Sequence, residues 1–104
     1  MSRDLTLLTD LYQLTMMSGY LKNGKEKDVA VFDLFFRRNS TITYSVAAGL
    51  QQAIEYVQNI RFDEEDIAYL RSLRLFDEEF LQYLKTFRFT GDIYAVPEGT
   101  VVFP

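Results

Sequence analysis

The chain has 104 residues, 48% of them apolar and 15% aromatic. That length supports one modest core, burying about 65% of the unfolded surface, and the composition excludes a disordered chain. A formal charge of −4 argues against a general nucleic-acid binder. Cysteine and histidine are both absent, which excludes disulfides, thiolate nucleophiles and Cys/His zinc sites. It also leaves no side chain with an unperturbed pKa near neutrality.

The first ten residues, MSRDLTLLTD, carry Asp4 and Asp10 and no long apolar run, so they do not read as a signal peptide. No stretch approaches the ~20 apolar residues of a membrane span. The expectation is a cytoplasmic protein with no membrane partner.

Residues 9–22 predict a helix. Thr9 suits a cap, and Asp10 suits the positive end of the helix dipole. Leu11, Leu14, Met17 and Leu21 form one apolar stripe. Tyr12, Met16 and Tyr20 form a second, on an adjacent face, so the helix is expected to be deeply buried or packed against two partners. Asn23-Gly24 stops it. Tyr12 in the first turn has two readings: a half-buried core residue, or a flat lid over an anionic ligand near free backbone N–H groups.

Residues 29–36, VAVFDLFF, predict a strand covered on both faces. Arg37-Arg38-Asn39 follows. It is either a solvated turn or a phosphate contact, because a guanidinium fork makes paired charge-assisted bonds to phosphate. Residues 42–47 suggest the returning strand of a hairpin.

Residues 49–59 predict a helix with Leu50, Ala53, Ile54 and Val57 inward. FDEED at 62–66 and FDEEF at 76–80 are two helix starts, capped by Asp63 and Asp77. Behind them stand Ile67, Leu70 and Leu73, then Phe80, Leu81 and Leu84, as in a local αα-hairpin. The acidic runs are read as caps and solvated faces rather than metal sites, since they lack loop geometry of the calcium type. Residues 92–96 predict a strand, Pro97-Glu98-Gly99 a turn, and residues 100–103 a further strand that a later segment or another chain is expected to complete. The order of elements points to a single α+β domain over residues 1–104, with a small mixed sheet.

Five segments together carry a family resemblance: LLTDLYQLTM (7–16), VAVFDLFFRRN (29–39), AAGLQQAIEYV (47–57), FDEEDIAYLRSL (62–73) and GDIYAVPEGTVVFP (91–104). In order and spacing they resemble the N-terminal region of nicotinate phosphoribosyltransferase. The resemblance implies the N-terminal mixed α/β region of a type II phosphoribosyltransferase, without the (β/α) barrel-like catalytic domain. The full-length enzyme joins nicotinate to phosphoribosyl pyrophosphate, giving nicotinate mononucleotide for NAD salvage. It uses Mg2+ and ATP, the latter through a phosphorylated histidine, and works as a homodimer with shared active sites.

On this resemblance Tyr12 falls on a tyrosine that stacks on the pyridine ring across the dimer. Arg38 falls on an arginine that approaches the phosphates of the phosphoribosyl substrate, also across the dimer. Asp10 matches an acidic position beside the tyrosine, and Arg37 is structural or a second contact. No catalytic residue, metal ligand or cofactor site is expected in this chain itself, which alone is expected to be inactive. Two alternatives remain: a non-catalytic dimerisation or binding module that completes or blocks a homologous transferase, and the sibling enzyme class acting on nicotinamide.

Overall fold

The computed structural model describes residues 4–104. Met1–Arg3, part of the stretch read as no signal peptide, lie outside it. Among the described residues four helices and one short sheet follow in order: α1 (Leu11–Lys22), β1 (Ser45–Val46), α2 (Leu50–Asn59), α3 (Glu64–Ser72), α4 (Glu78–Lys85) and β2 (Val101–Val102). The sheet is antiparallel, pairing Ser45 with Val102 and Val46 with Val101. The architecture is therefore a small mixed one dominated by helices, and its sheet has two strands of opposite direction rather than the mixed sheet expected.

The core lies where the two acidic helix starts predict it. Asp63 caps α3 by accepting from the Asp66 N–H, while Asp66 accepts from the Asp63 N–H, a reciprocal capping box. Asp77 caps α4 by accepting from the Phe80 N–H at 2.9 Å. Helices α3 and α4 then pack as a hairpin, burying Ile67, Leu70, Phe80, Leu81 and Leu84 with Leu14 and Phe62. Phe80 is 0% exposed. Aromatic rings extend this core along α4: Phe76 to Phe80 at 5.3 Å, Tyr83 to Phe87 at 6.2 Å and Phe62 to Phe87 at 6.0 Å. On the outer face Arg71 donates two bonds to the Glu78 carboxylate, at 2.7 and 3.0 Å, and ties the hairpin's ends together.

Helix α1 joins this core through Leu14, with Met17 and Leu21 packed against it. Its end follows the expected Asn23-Gly24 stop. Gly24 has φ +67°, and the N–H groups of Lys25 and Gly24 return to the carbonyls of Tyr20 and Leu21 at 2.8 and 3.2 Å. That closes a Schellman turn, which needs the left-handed conformation glycine adopts cheaply. The start differs from expectation. Asp10, not Thr9, occupies the cap position, and its side chain makes no capping bond. The second stripe of α1, Tyr12, Met16 and Tyr20, stays uncovered, as does Leu11 of the first.

The largest departure is VAVFDLFF. Residues 29–36 form no strand, and among the described residues their backbone joins no ladder. Val29 and Leu34 are 94% and 103% exposed. The composition is that of a doubly covered strand, but β1, its expected hairpin partner, pairs with β2 instead. Residues 92–96 are likewise not a strand, with Tyr94 and Val96 exposed. In α2 the inward stripe is only partly realised: Leu50, Ile54 and Val57 are half-buried and Ala53 is exposed.

Candidate functional site

Arg38 is placed by the turn that follows it. The Asn39 side-chain oxygen accepts from the N–H groups of Thr41 and Ile42, at 2.8 and 2.6 Å. This Asx-type turn redirects the chain from the uncovered segment toward β1. Beyond it, Thr43 precedes β1, and Phe103 and Pro104 follow β2. Arg38, Thr43, Phe103 and Pro104 line an open cleft of about 380 Å³. Its chemistry is one guanidinium, one hydroxyl and an apolar wall. Among the described residues neither Arg37 nor Arg38 forms an ion pair, so the Arg38 fork keeps its hydrogen-bonding capacity for an anion.

Tyr12 is held separately, as the second residue of α1, and is 58% exposed. Its ring takes part in none of the aromatic pairs around α4. Asp10 is exposed two residues before it. Neither residue lines the Arg38 cleft. The structure thus presents Tyr12 and Arg38 on the surface and does not bring them together within this chain.

The wall of the cleft rests on contacts distant in sequence. The Glu98 carboxylate accepts from the N–H groups of Gly49 and Leu50, at 2.8 and 3.2 Å. It thereby caps α2, whose own cap residue, Gly49, has no side chain to do so. The turn that carries Glu98 is closed by the Thr100 N–H on the Pro97 carbonyl at 3.2 Å, with Gly99 at φ +85°. Sequence reasoning identified the turn but not the part played by Glu98, nor Thr43, Phe103 and Pro104 beside Arg38. A carboxylate at a turn tip was the one visible signal for Glu98.

One carboxylate group outside this region gathers Asp4, Asp63 and Asp66, with oxygens within 4.8 Å of one another. It is explained by hydrogen bonding inside the chain: the capping box holds Asp63 and Asp66, and the Thr6 N–H donates to Asp4 at 3.0 Å. That bond, with others, holds the Asp4 carboxyl below its ordinary pKa. Burial pushes Asp66 up, with the charges of Asp4 and Asp63 adding to it and the Asp63 N–H opposing. Beside the group, buried Thr6 donates to the Arg61 carbonyl at 3.0 Å and accepts from the Arg61 N–H at 3.1 Å. The Tyr56 hydroxyl donates to the Thr6 carbonyl. Among the described residues no helix is long and apolar enough to cross a membrane.

The family model for the nicotinate phosphoribosyltransferase N-terminal domain matches residues 7–104. The chain belongs to the nicotinate phosphoribosyltransferase family. It is 48% identical to nicotinate phosphoribosyltransferase pncB2 of Mycobacterium tuberculosis, over 94% of this chain and 21% of that protein. It is 43% identical to the Bacillus subtilis nicotinate phosphoribosyltransferase, over 95% and 20%, and 36% identical to the human one, over 94% and 19%. The chain therefore spans about a fifth of the length of these nicotinate phosphoribosyltransferases and matches their N-terminal part.

Proposed function

We propose that residues 1–104 act as one domain, the N-terminal part of a nicotinate phosphoribosyltransferase, and lend substrate contacts to an active site built largely elsewhere. Tyr12 stacks on the nicotinate ring, which holds a flat heterocycle without fixing its charge. Arg38 meets the phosphates of phosphoribosyl pyrophosphate from its open cleft, and Asp10 supports the tyrosine's surroundings. Both contacts act across a homodimer, in keeping with their separation within the chain. ATP and Mg2+ serve the whole enzyme. The residues that hold them lie outside this chain, which has no histidine to phosphorylate and whose carboxylate trio Asp4, Asp63 and Asp66, the one such group among the described residues, is engaged in a helix cap and its neighbouring turn. The purified 104-residue chain is expected to form no nicotinate mononucleotide, and product formation would contradict that.

The observation that carries this reading is that Tyr12 and Arg38 both stand at the surface without an intrachain side-chain partner among the described residues. The test is alanine substitution at the aligned positions of the full-length Bacillus subtilis relative. Loss of the Tyr12 ring is expected to weaken nicotinate binding by roughly 1–3 kcal/mol, the scale of base–aromatic stacking. Loss of the Arg38 guanidinium is expected to raise KM for phosphoribosyl pyrophosphate. An unchanged nicotinate KM in the first variant, or an effect confined to nicotinate in the second, contradicts the assignment.

A second reading rests on the uncovered segment. Val29, Val31 and Phe35 alternate with Phe32 and Leu34, and all five are exposed. A strand apolar on both faces needs neighbours beside it and layers above and below. A single copied strand cannot supply all of these. The occupant is the remaining four fifths of the polypeptide that the relatives carry, either in the same chain or in a homologue that this chain completes as a separate module.

A further inference from the structure

We infer that Glu98 is a positioning residue for the Arg38 cleft. This rests on the assignment of Arg38 to substrate phosphates. The sheet that walls the cleft contains only two paired residues on each strand, Ser45–Val46 against Val101–Val102. A ladder this short does not hold its own register in water. Toward the cleft it is followed directly by the wall, with Thr43 two residues before β1 and Phe103 one residue after β2. A slip in the pair therefore moves Thr43 relative to Phe103 and changes the space in front of the guanidinium.

The register is fixed from the other end. The Ala47 N–H donates to the Thr100 carbonyl and the Gly99 N–H to the Ala47 carbonyl, both at 2.8 Å. Immediately beyond them the Glu98 carboxylate grips the Gly49 and Leu50 N–H groups. Those are charge-assisted bonds at a helix N-terminus, where a negative group is favoured twice over, by the free N–H donors and by the helix dipole. Glu98 thus bolts the 97–100 turn to α2, the turn bolts β2 to β1, and the pair sets the cleft. Nothing else in the turn supplies a charged contact to α2.

Two measurements test this together. In the 104-residue chain, Glu98→Ala is expected to speed amide exchange at Ala47 and Gly99 by roughly tenfold or more, the scale of losing the two charge-assisted bonds to Gly49 and Leu50, while α3 and α4 keep their protection. In the full-length Bacillus subtilis relative, alanine at the aligned position is expected to raise KM for phosphoribosyl pyrophosphate several-fold and leave that for nicotinate unchanged. Glutamine, which keeps an acceptor but not the charge, is expected to restore part of the loss. Unchanged exchange at Ala47 and Gly99 overturns the clamp. Faster exchange with an unchanged phosphoribosyl pyrophosphate KM overturns the positioning role and leaves Glu98 as a helix cap. Should alanine at the Arg38 position also leave that KM unchanged, it is the assignment of Arg38 that has failed, while the exchange result still judges the clamp.

Discussion

The helical region and the uncovered region both carry large apolar residues and meet opposite fates. Around α3 and α4, the large apolar residues of the two stripes find neighbours within the same hairpin, and Phe80 is fully enclosed. In VAVFDLFF, Val29, Val31, Phe32, Leu34 and Phe35 stand in solvent, and among the described residues no strand lies beside them. Hydrophobicity states that a segment must be covered. Only local connectivity lets a chain of this size do the covering itself.

The sharpest break of this comparison comes from the core. Phe80→Ala is expected to cost about 3–5 kcal/mol, the scale for truncating a buried aromatic, and most of the stability of a small domain. Chemical denaturation measures it, and a loss under about 1 kcal/mol would show that the hairpin core is not what holds the fold. Next comes the polar seam between the N-terminal stretch and the start of α3. Thr6→Val keeps the shape but strands the Arg61 N–H and carbonyl, a loss of about 1–3 kcal/mol. An unchanged midpoint would mean that these groups find water instead. Asp63→Ala removes the α3 cap, and about 1 kcal/mol is expected to go with it.

At the small end, Leu34→Ser in the isolated chain is expected to move stability by no more than about 0.5 kcal/mol, as at other surface positions. A large destabilisation would mean that Leu34 is already covered. Asp4 and Asp66 set the pH behaviour of the seam. Asp4, held low, favours the folded chain above the ordinary carboxylate range, and that contribution is lost as pH falls through its depressed value. Asp66, held high, works in the opposite sense: its contribution is present in acid and lost as pH rises through its raised value. Around pH ~4 both contributions are largely present, and their sum is greatest there. Carboxyl NMR titration is expected to find Asp4 titrating below Asp66. The reverse order would contradict hydrogen bonding as the cause of the first shift and burial as the cause of the second.

What the sequence made legible follows the same division. The caps at Asp63 and Asp77, the Asn23-Gly24 stop and the stripes of the hairpin are all local, encoded within a turn or two of helix. The β1–β2 pairing, the Thr6–Arg61 bonds across 55 residues and the Glu98 clamp across 49 are not. Their partners are chosen by the three-dimensional arrangement, and no spacing rule points to them. The strand assignment for residues 29–36 failed for a related reason, since composition describes the environment a segment suits rather than the neighbours this chain provides. The candidate site divides likewise. Tyr12 and Arg38 were legible through their motifs, while the wall formed by Thr43, Phe103 and Pro104 required the fold.

Amide hydrogen exchange across residues 29–36, compared between this chain alone and the aligned segment of the full-length Bacillus subtilis relative, tests most directly whether this chain carries a surface that the rest of a transferase covers. The expected result is fast exchange in the isolated chain, beside slow exchange in α3 and α4, and strong protection in the relative. Protection of these amides in the isolated monomer, or fast exchange in both proteins, would contradict it.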